Sequence, residues 1–335
     1  MLTFTKDFFK EEIRSDFKVE SSVKHMWAAK LELLAKVDDI CKKYNIQYFA
    51  EWGTLLGAVR HNGFIPWDDD IDIAMKRPDY NRFLEVCTKE FVCFDDNKDT
   101  DIKTLGDNFL FSNIYTAKVH THIQAVLLSS NKVLIFDDNY LKRFHGYPVG
   151  VGIDIFPLDY LPEKGENTDQ LFELIRYIET IQYNDEHWTE NGFPNSEEAK
   201  NYILNIESAC NIKLDWNMPI RIQLLRLMDS LYSYFSEEES TYLMPLYWQS
   251  SFPDRTLYHK KEWFDETILL PFENIMIPVP KEYDKVLTNC YHDYMTPSNW
   301  VGNHINNNLI NLVNSLNMDP AEAINNINKI MMAYE

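Results

Sequence analysis

The stretch EWGTLLGAVRHNGFIPWDDDIDI, residues 51–73, carries the signals that decide the fold and the chemistry of this chain. It places four carboxylates in five positions, Asp68, Asp69, Asp70 and Asp72, between apolar flanks on both sides. Carboxylates that cluster beside a buried strand repel one another and resist desolvation unless a cation lies among them. The stretch therefore predicts a cation site.

Two other interpretations of the acidic run stay open. Its spacing also occurs at the start of an EF-hand calcium loop, but that loop needs glycine at its sixth position, where this chain has Ile73. A solvated acidic turn is the second interpretation, and the apolar residues on both sides of the run disfavour it.

Composition limits the class of protein. The 335 residues are 45% hydrophobic and 25% charged, as in a soluble globular protein, and no run approaches the roughly 20 apolar residues of a membrane span. The first ten residues lack the apolar region of a secretory signal. The five cysteines form no CxxC pair, which favours reduced thiols and a cytoplasmic location.

The net charge of −20 limits the partners. Nucleic acids bind through phosphate neutralisation, so a surface this acidic excludes them as partners. A phosphate-bearing substrate would have to meet a local metal ion, Arg or Lys, whereas a cationic substrate group would be attracted. The 14% of aromatic residues could surround a quaternary ammonium group, although most of them are expected in the core.

Periodicity and turn signals predict an α+β fold. We predict a small mixed β-sheet flanked by helices over residues 22–160, an N-terminal extension over 1–21, and a mostly helical region over 161–335 that packs on the core. The predicted helices cover 22–44, 55–60, a segment starting at Pro78, 167–188, 197–211, 219–235 and much of the last 30 residues. The predicted strands cover 46–52, 70–75, 112–119, 124–128, 132–136 and 149–156, with a hairpin at 268–280.

Three aspartates are the predicted metal ligands. Asp70 and Asp72 stand two apart in a predicted strand, so their side chains leave the same face, while Ile71 and Ile73 face the core. Asp154 is a lone carboxylate in a run of strand-forming residues, where a buried charge needs a partner, either a cation or a salt bridge. Mg²⁺ takes few protein carboxylates and completes its coordination with water and substrate phosphate, so it is the expected ion.

The remaining candidates would bind substrate. Gly53 and Thr54 follow a predicted strand and precede a predicted helix, a place where a phosphate can approach the backbone and the positive end of the helix. Arg60, at the end of that helix, could contact a phosphate or a carboxylate. Lys118 lies in a polar, strand-like stretch of the same core, and we add Trp67 to the substrate-binding residues.

Several motifs resemble one family. Residues 53–73 resemble the signature of the LicD/fukutin-type phosphotransferases, a branch of the nucleotidyltransferase-fold superfamily. Residues 152–160 (GIDIFPLDY) resemble the family's second acidic motif. Residues 291–295 (YHDYM) resemble a C-terminal motif, with His292 where the family commonly has glycine. Residues 160–250 match no motif of the family.

The resemblance implies a nucleotidyltransferase-like core and a reaction. Phosphocholine or a similar phospho-alcohol would pass from a CDP-linked donor, such as CDP-choline, to a sugar hydroxyl of a cell-surface glycan or its precursor. The resemblance implies Asp70 and Asp72 as metal-binding residues, for Mg²⁺ or Mn²⁺, and Asp154 as a third ligand or the general base. Gly53 and Thr54 would correspond to the superfamily's Gly-Ser phosphate-binding turn, with threonine in place of serine. A lipid-linked acceptor would be met by peripheral contact with a membrane.

Two rival functions remain. A metal-dependent glycosyltransferase could use an Asp-x-Asp pair to hold a nucleotide-sugar, and a catalytically silent protein could bind a glycan or a nucleotide. The Gly53-Thr54 pair upstream and Asp154 downstream favour the phosphotransferase.

Overall fold

The computed structural model describes residues 1–94, 105–106, 108–117, 122–132, 134–245, 258–297 and 320–334. Its longest helix is α1 (Ser21–Tyr44), which buries Trp27, Leu31 and Leu34 completely. The helix ends at Asn45, which adopts the left-handed conformation (φ 51°) that ends many helices. The helix predicted at 22–44 is thus confirmed.

An eight-stranded mixed sheet lies beside α1. Strand β8 is central, because it pairs in parallel with β4 and antiparallel with β7 and β9; β5 and β6 form the second parallel pair. The strands are β3 (Phe49–Ala50), β4 (Asp72–Lys76), β5 (Val92–Cys93), β6 (Leu110–Ser112), β7 (Ala125–Leu128), β8 (Gly152–Leu161), β9 (Tyr242–Met244) and β10 (His259–Lys260). The mixed sheet and the α+β class agree with the prediction.

Two hairpins stand outside this sheet. β1 (Glu12–Arg14) pairs with β2 (Phe17–Val19), and β11 (Thr267–Phe272) pairs with β12 (Ile275–Pro280). The second pair confirms the hairpin predicted at 268–280.

The other helices lie between and after the strands in the chain. They are α2 (Trp52–His61), α3 (Arg77–Glu90), α4 (Asp138–Arg143), α5 (Glu166–Gln182), α6 (Glu197–Ala209), α7 (Ile220–Tyr232), α8 (Tyr283–Tyr291) and α9 (Pro320–Met332), with short 3-10 helices at Lys6–Phe9, Asp185–His187 and Lys261–Phe264. The helices predicted at 167–188, 197–211 and 219–235 are confirmed, although the first already ends at Gln182. No helix in the described ranges combines the length and the apolar character needed to cross a bilayer.

Apolar side chains form two clusters. The larger one joins α1, the sheet, the β11–β12 hairpin and α8, and the smaller one fills the space between α5, α6 and α7. Helices α5 to α7 therefore have a core of their own, while β9 and β10 extend the sheet into the same part of the sequence. The domain division at residue 160 stays a prediction.

Several predicted strands were wrong in extent. The strand predicted at 46–52 is limited to Phe49–Ala50, because Trp52 adopts a positive φ (46°) and turns the chain directly into α2. The strand predicted at 112–119 ends at Ser112, where a turn follows, and its last two residues lie outside the described ranges. At 132–136 only a single bridge forms, between Leu134 and Val149.

Strand β8 continues through Pro157 to Leu161, although the predicted strand ended at residue 156. The Asp154 N–H donates to the carbonyl of Ile71, in the segment that leads into β4. Because successive backbone N–H groups of a strand point in alternate directions, an N–H at position 157 would point away from β4. On that side neither β7 nor β9 pairs with Pro157, since their pairing covers 152–155 and 159–161. The missing proline N–H therefore costs no ladder hydrogen bond.

A buried ion cluster ties the sheet to the helical layer. The Arg77 guanidinium at the start of α3 donates to both carboxylate oxygens of Asp159 on β8, at 2.5 and 2.9 Å, and to Asp229 on α7 at 2.8 Å. Tyr115 donates to the other oxygen of Asp229 at 2.6 Å. All three groups are buried, and the one guanidinium pairs with both carboxylates.

We predict that Arg77→Met destabilises the protein by about 3–5 kcal/mol, because it leaves two buried carboxylates without their cation. Urea denaturation measures the change in the free energy of unfolding. The control is Arg82→Met, which removes an exposed arginine from the same helix. Equal stability of the two variants would contradict the role of the cluster.

Candidate functional site

The parallel pairing of β4 with β8 builds the centre of the site. Asp72 begins β4, and the register places it directly opposite Asp154 on β8. Residues opposite each other on neighbouring strands point to the same face of a sheet. The two carboxylates predicted from separate motifs, 82 positions apart in the sequence, therefore lie side by side.

Asp70 occupies a different position from the predicted one. It precedes β4 instead of lying in it, and its side chain is exposed, whereas Asp72 is partly buried. Ile71 and Ile73 are fully buried, as predicted. Asp70 and Asp72 therefore do not share a strand, because β4 begins at Asp72, two residues later than predicted.

A second acidic group lies next to this pair. Carboxylate oxygens of Asp68, Asp69 and Asp70 come within 4.8 Å of one another in the loop before β4. Asp68 and Asp69 were not among the predicted ligands. Asp70 is near both groups, since its charge contributes to the raised pKa values of Asp68, Asp72 and Asp154.

Burial is the largest cause of these shifts. It raises the pKa of Asp68 to about 8, helped by the charge of Asp70 and a hydrogen bond shared with it. Burial, followed by the charges of Asp70, Asp154 and Asp68, holds the pKa of Asp72 well above its usual value. The site thus concentrates negative charge at a cost that a bound cation would offset.

Lys30 of α1 lies at the paired strands, and it was not among the predicted site residues. Its Nζ donates to the carbonyl of Gly152 at 2.9 Å, and its charge lowers the pKa values of Asp72 and Asp154 against the effect of burial. A signal existed: Lys30 lies among the inward-facing residues of an otherwise apolar helix face. The sequence offered no means of deciding what it would meet there.

Gly53 and Thr54 lie in the first turn of α2 instead of in a turn before it. A Cβ on Gly53 would come within 2.5 Å of Asp68 Oδ2, so the glycine makes room for that carboxylate. The Thr54 hydroxyl accepts a hydrogen bond from the Asp72 backbone N–H at 2.9 Å. Both residues thus position the acidic segment, and the phosphate contact expected of them stays a prediction.

The loop between α2 and Asp68 is held from several directions. The Trp27 indole of α1 donates to the carbonyl of Asp68 at 3.2 Å. Glu273, in the turn of the β11–β12 hairpin, accepts from the Phe64 N–H at 3.1 Å and forms an ion pair with Arg14 at 2.6 Å. The acidic segment therefore follows a loop whose backbone is fixed at both ends.

The other predicted substrate-binding residues separate into two groups. The Arg60 guanidinium donates to the carbonyl of Tyr294 at 2.9 Å and lies 6.0 Å from the ring centre of Trp67. Within the described ranges Arg60 forms no ion pair with a carboxylate, which was the rival role. Lys118 lies outside the described residues.

The donor set fits a hard divalent cation. Carboxylates are the oxygen ligands that Mg²⁺ and Mn²⁺ prefer, and the sheet presents them with an adjoining acidic loop. Burial, and then the neighbouring carboxylates, raises the pKa values of Asp68 and Asp72, an effect that a bound cation would oppose.

We predict that Thr54→Val lowers the free energy of unfolding by about 1–3 kcal/mol, because the Asp72 N–H loses its acceptor in a buried place. Urea denaturation measures the loss. Thr54→Ser keeps the hydroxyl and should retain most of the stability. Wild-type stability of Thr54→Val would contradict the role of the hydrogen bond, because valine keeps the methyl group and lacks only the hydroxyl.

We also predict a pH effect that depends on Asp68. Its carboxyl ionises near pH 4 in the unfolded chain and at about 8 in the fold, so between these values only the folded state holds the proton. The free energy of unfolding should then fall as pH rises from 6.5 to 8 in the presence of a chelator.

Comparing wild type with Asp68→Asn in that range isolates the effect, because Glu51, whose pKa burial also raises to about 8, is present in both proteins, and the pKa values of His61 and His259 are lowered to about 4. The asparagine variant should show a smaller slope. Equal slopes in the two proteins would argue against a protonated Asp68.

Comparisons with known proteins agree with the motif analysis. Residues 45–168 match the family LicD/FKTN/FKRP, nucleotidyltransferase domain. Over 60 residues the chain is 50% identical to the lipopolysaccharide cholinephosphotransferase LicD of Haemophilus influenzae, covering 18% of this chain and 23% of that protein. Over 55 residues it is 46% identical to an uncharacterized protein of Rickettsia typhi, covering 16% of this chain and 18% of that protein.

The chain thus spans about a fifth of the length of the curated relatives that it matches. The matched family segment includes α2, the acidic loop, β4 and the start of α5, and both Asp72 and Asp154 lie within it. The predicted resemblance is confirmed, because residues 45–168 match the LicD family.

Proposed function

We propose that this protein is a metal-dependent phosphotransferase that moves phosphocholine, or a similar phospho-alcohol, from a CDP-linked donor to a sugar hydroxyl. The acceptor would be a cell-surface glycan or its precursor. One observation carries the proposal: Asp72 and Asp154 stand opposite each other on parallel strands inside the segment that matches the LicD family. The name of the Haemophilus relative, a lipopolysaccharide cholinephosphotransferase, supports the choice of group and acceptor.

The cation would be held by Asp72 and Asp154, with Asp70 on the exposed side. When bound, Mg²⁺ or Mn²⁺ would neutralise the donor diphosphate and the charge that develops as CMP departs. The paired strands fix two of these carboxylates before substrate arrives, which avoids reorganisation during the reaction.

The transfer itself needs few protein groups. The acceptor oxygen forms a bond to the phosphorus that carries choline, and the bond from that phosphorus to CMP breaks. The hydroxyl proton passes to Asp154 or to water, so Asp154 would act as ligand or as general base. Burial as the first cause, and then the charge of Asp70, raises the pKa of Asp154, which favours a role as proton acceptor.

Cationic side chains would steady the phosphates. Lys30 lies beside the paired aspartates, and Arg60 lies at the end of the helix that begins with Trp52 and Gly53. The N-terminus of that helix adds a partial positive charge near the acidic loop. This arrangement supports an anionic donor in a protein whose net charge is −20.

Three related proposals accompany this function. The pairing of an Asp-bearing strand with a second Asp-bearing strand supports a nucleotidyltransferase-like core. The boundaries at 1–21, 22–160 and 161–335 and the cytoplasmic location stay predictions.

The decisive assay measures CMP release from CDP-choline, CDP-ethanolamine, CDP-ribitol and CDP-glycerol with Mg²⁺ and a glycan acceptor. We expect release from at least one donor, lost with a chelator, and lowered about 100-fold or more by Asp72→Asn, because the variant removes a ligand of the cation. Preference for a polyol donor would contradict the choline assignment.

The control is Asp169→Asn, which removes an exposed carboxylate from α5 and should leave the rate unchanged. Turnover of a UDP-sugar or a GDP-sugar without turnover of any CDP-alcohol would support the glycosyltransferase. Binding of nucleotide without metal-dependent turnover would support the silent binding protein.

A further inference from the structure

Glu51 is a buried carboxyl that no role described so far uses. Its side chain is 1% exposed, and its Oε2 has no hydrogen-bond partner in the described part of the chain. The carboxyl has a hydrogen bond with the backbone of Trp52, which leaves Oε2 as its atom without a partner. An unpartnered carboxyl oxygen in the interior is costly, so Oε2 of Glu51 calls for a partner.

The strand register gives its surroundings. In the antiparallel pair β3–β4, Ala50 stands opposite Ile73, so Glu51 stands opposite Asp72. The ladder does extend to this pair, because the Glu51 N–H donates to the Asp72 carbonyl at 3.0 Å and the backbone of Glu51 is extended (φ −129°, ψ 161°). Opposite residues share a face of the sheet.

The same face continues onto the next strand. Asp72 stands opposite Asp154 on β8. Glu51, Asp72 and Asp154 therefore form one row across three neighbouring strands. In such a row, side chains of adjacent strands are close enough to interact directly.

Helix capping does not account for the Glu51 side chain. Glu51 is the N-cap residue of α2, but its side chain makes none of the capping hydrogen bonds expected at that position. Short side chains such as Ser, Thr, Asp and Asn perform this role best. An ion pair does not account for it either, because in the described ranges no Lys, Arg or His pairs with Glu51.

We propose that Glu51 is a fourth carboxylate of the cation site, held beside Asp72 on the face that Asp72 shares with Asp154. A cation at this row would give Oε2 its missing partner, either directly or through a bridging water. Additional carboxylate charge also raises the affinity of an oxygen site for divalent cations. This inference rests on the cation site of the proposed function and is independent of the donor and the acceptor.

Tyr291 of α8 supports the placement of Glu51 at the site. Burial is the largest cause of the raised pKa of Tyr291, and the charges of Cys290, Glu51, Asp72 and Asp68 follow. The tyrosine is therefore near Glu51 and two aspartates of the acidic site at once.

The test is calorimetric titration of the full chain with Mn²⁺ in the absence of nucleotide. We expect Glu51→Gln, which keeps the size and removes the charge, to weaken Mn²⁺ binding by about 10-fold or more, the range typical of groups that support a metal site. The matched control is Glu207→Gln, which neutralises a buried glutamate of the helical layer and should bind Mn²⁺ as wild type does. Thermal denaturation without metal verifies that both variants fold.

Wild-type affinity in a folded Glu51→Gln variant would overturn the inference. If that variant does not fold, Glu51→Asp decides: the shorter side chain withdraws the carboxylate, and an unchanged affinity would likewise overturn it. A wild-type protein that binds no Mn²⁺ overturns the cation site and this inference together. Normal Mn²⁺ binding without turnover of any CDP-alcohol overturns the proposed function and leaves the role of Glu51 intact.

Discussion

Parallel pairing of β4 with β8 places the carboxylates of Asp72 and Asp154 side by side. Several surrounding contacts offset the repulsion between these two groups. Asp72 and Asp154 are partly withdrawn from water, which raises the pKa of each. Lys30 reaches in from α1 to offset part of the charge, and the Thr54 hydroxyl anchors the backbone of Asp72. The fold therefore holds the two carboxylates in place with one cationic side chain and a backbone hydrogen bond, and the negative charge that remains is left to be neutralised from outside.

This arrangement is rigid because its supports come from distant parts of the sequence. α1 contributes Trp27 to the acidic loop, and the β11–β12 hairpin contributes Glu273 to the segment before it. On the other side of the sheet, Arg77 links β8 to α7 through Asp159 and Asp229. A site built this way is preorganised, which is what a reaction dominated by electrostatic stabilisation requires.

Much of the fold follows from local sequence, and the site follows only in part. The apolar periodicity of α1 and the prolines around the β11–β12 hairpin act locally, so both elements were predictable. The turn at Trp52 and the continuation of β8 through Pro157 depend on residues that are distant in the sequence. The ends of these two strands were therefore not predictable from local sequence. Asp72 and Asp154 carried a sequence signal, a charge among strand-forming residues. Glu51 carried the same signal, but its meaning depended on which strand would pair with β3.

The segment that relatives share and the piece of protein that works as a unit are different in size. The family match covers 45–168, whereas Trp27 and Lys30 lie before it and Asp229 and Tyr291 lie after it. β8 carries Asp154 near one end and Asp159 five residues on, a span of about 17 Å, so a single stretch of backbone connects the acidic site to the helical layer. The shared segment on its own would lack the supporting contacts that the flanking helices provide. An engineered transplant of this chemistry would have to carry α1, α7 and α8 as well.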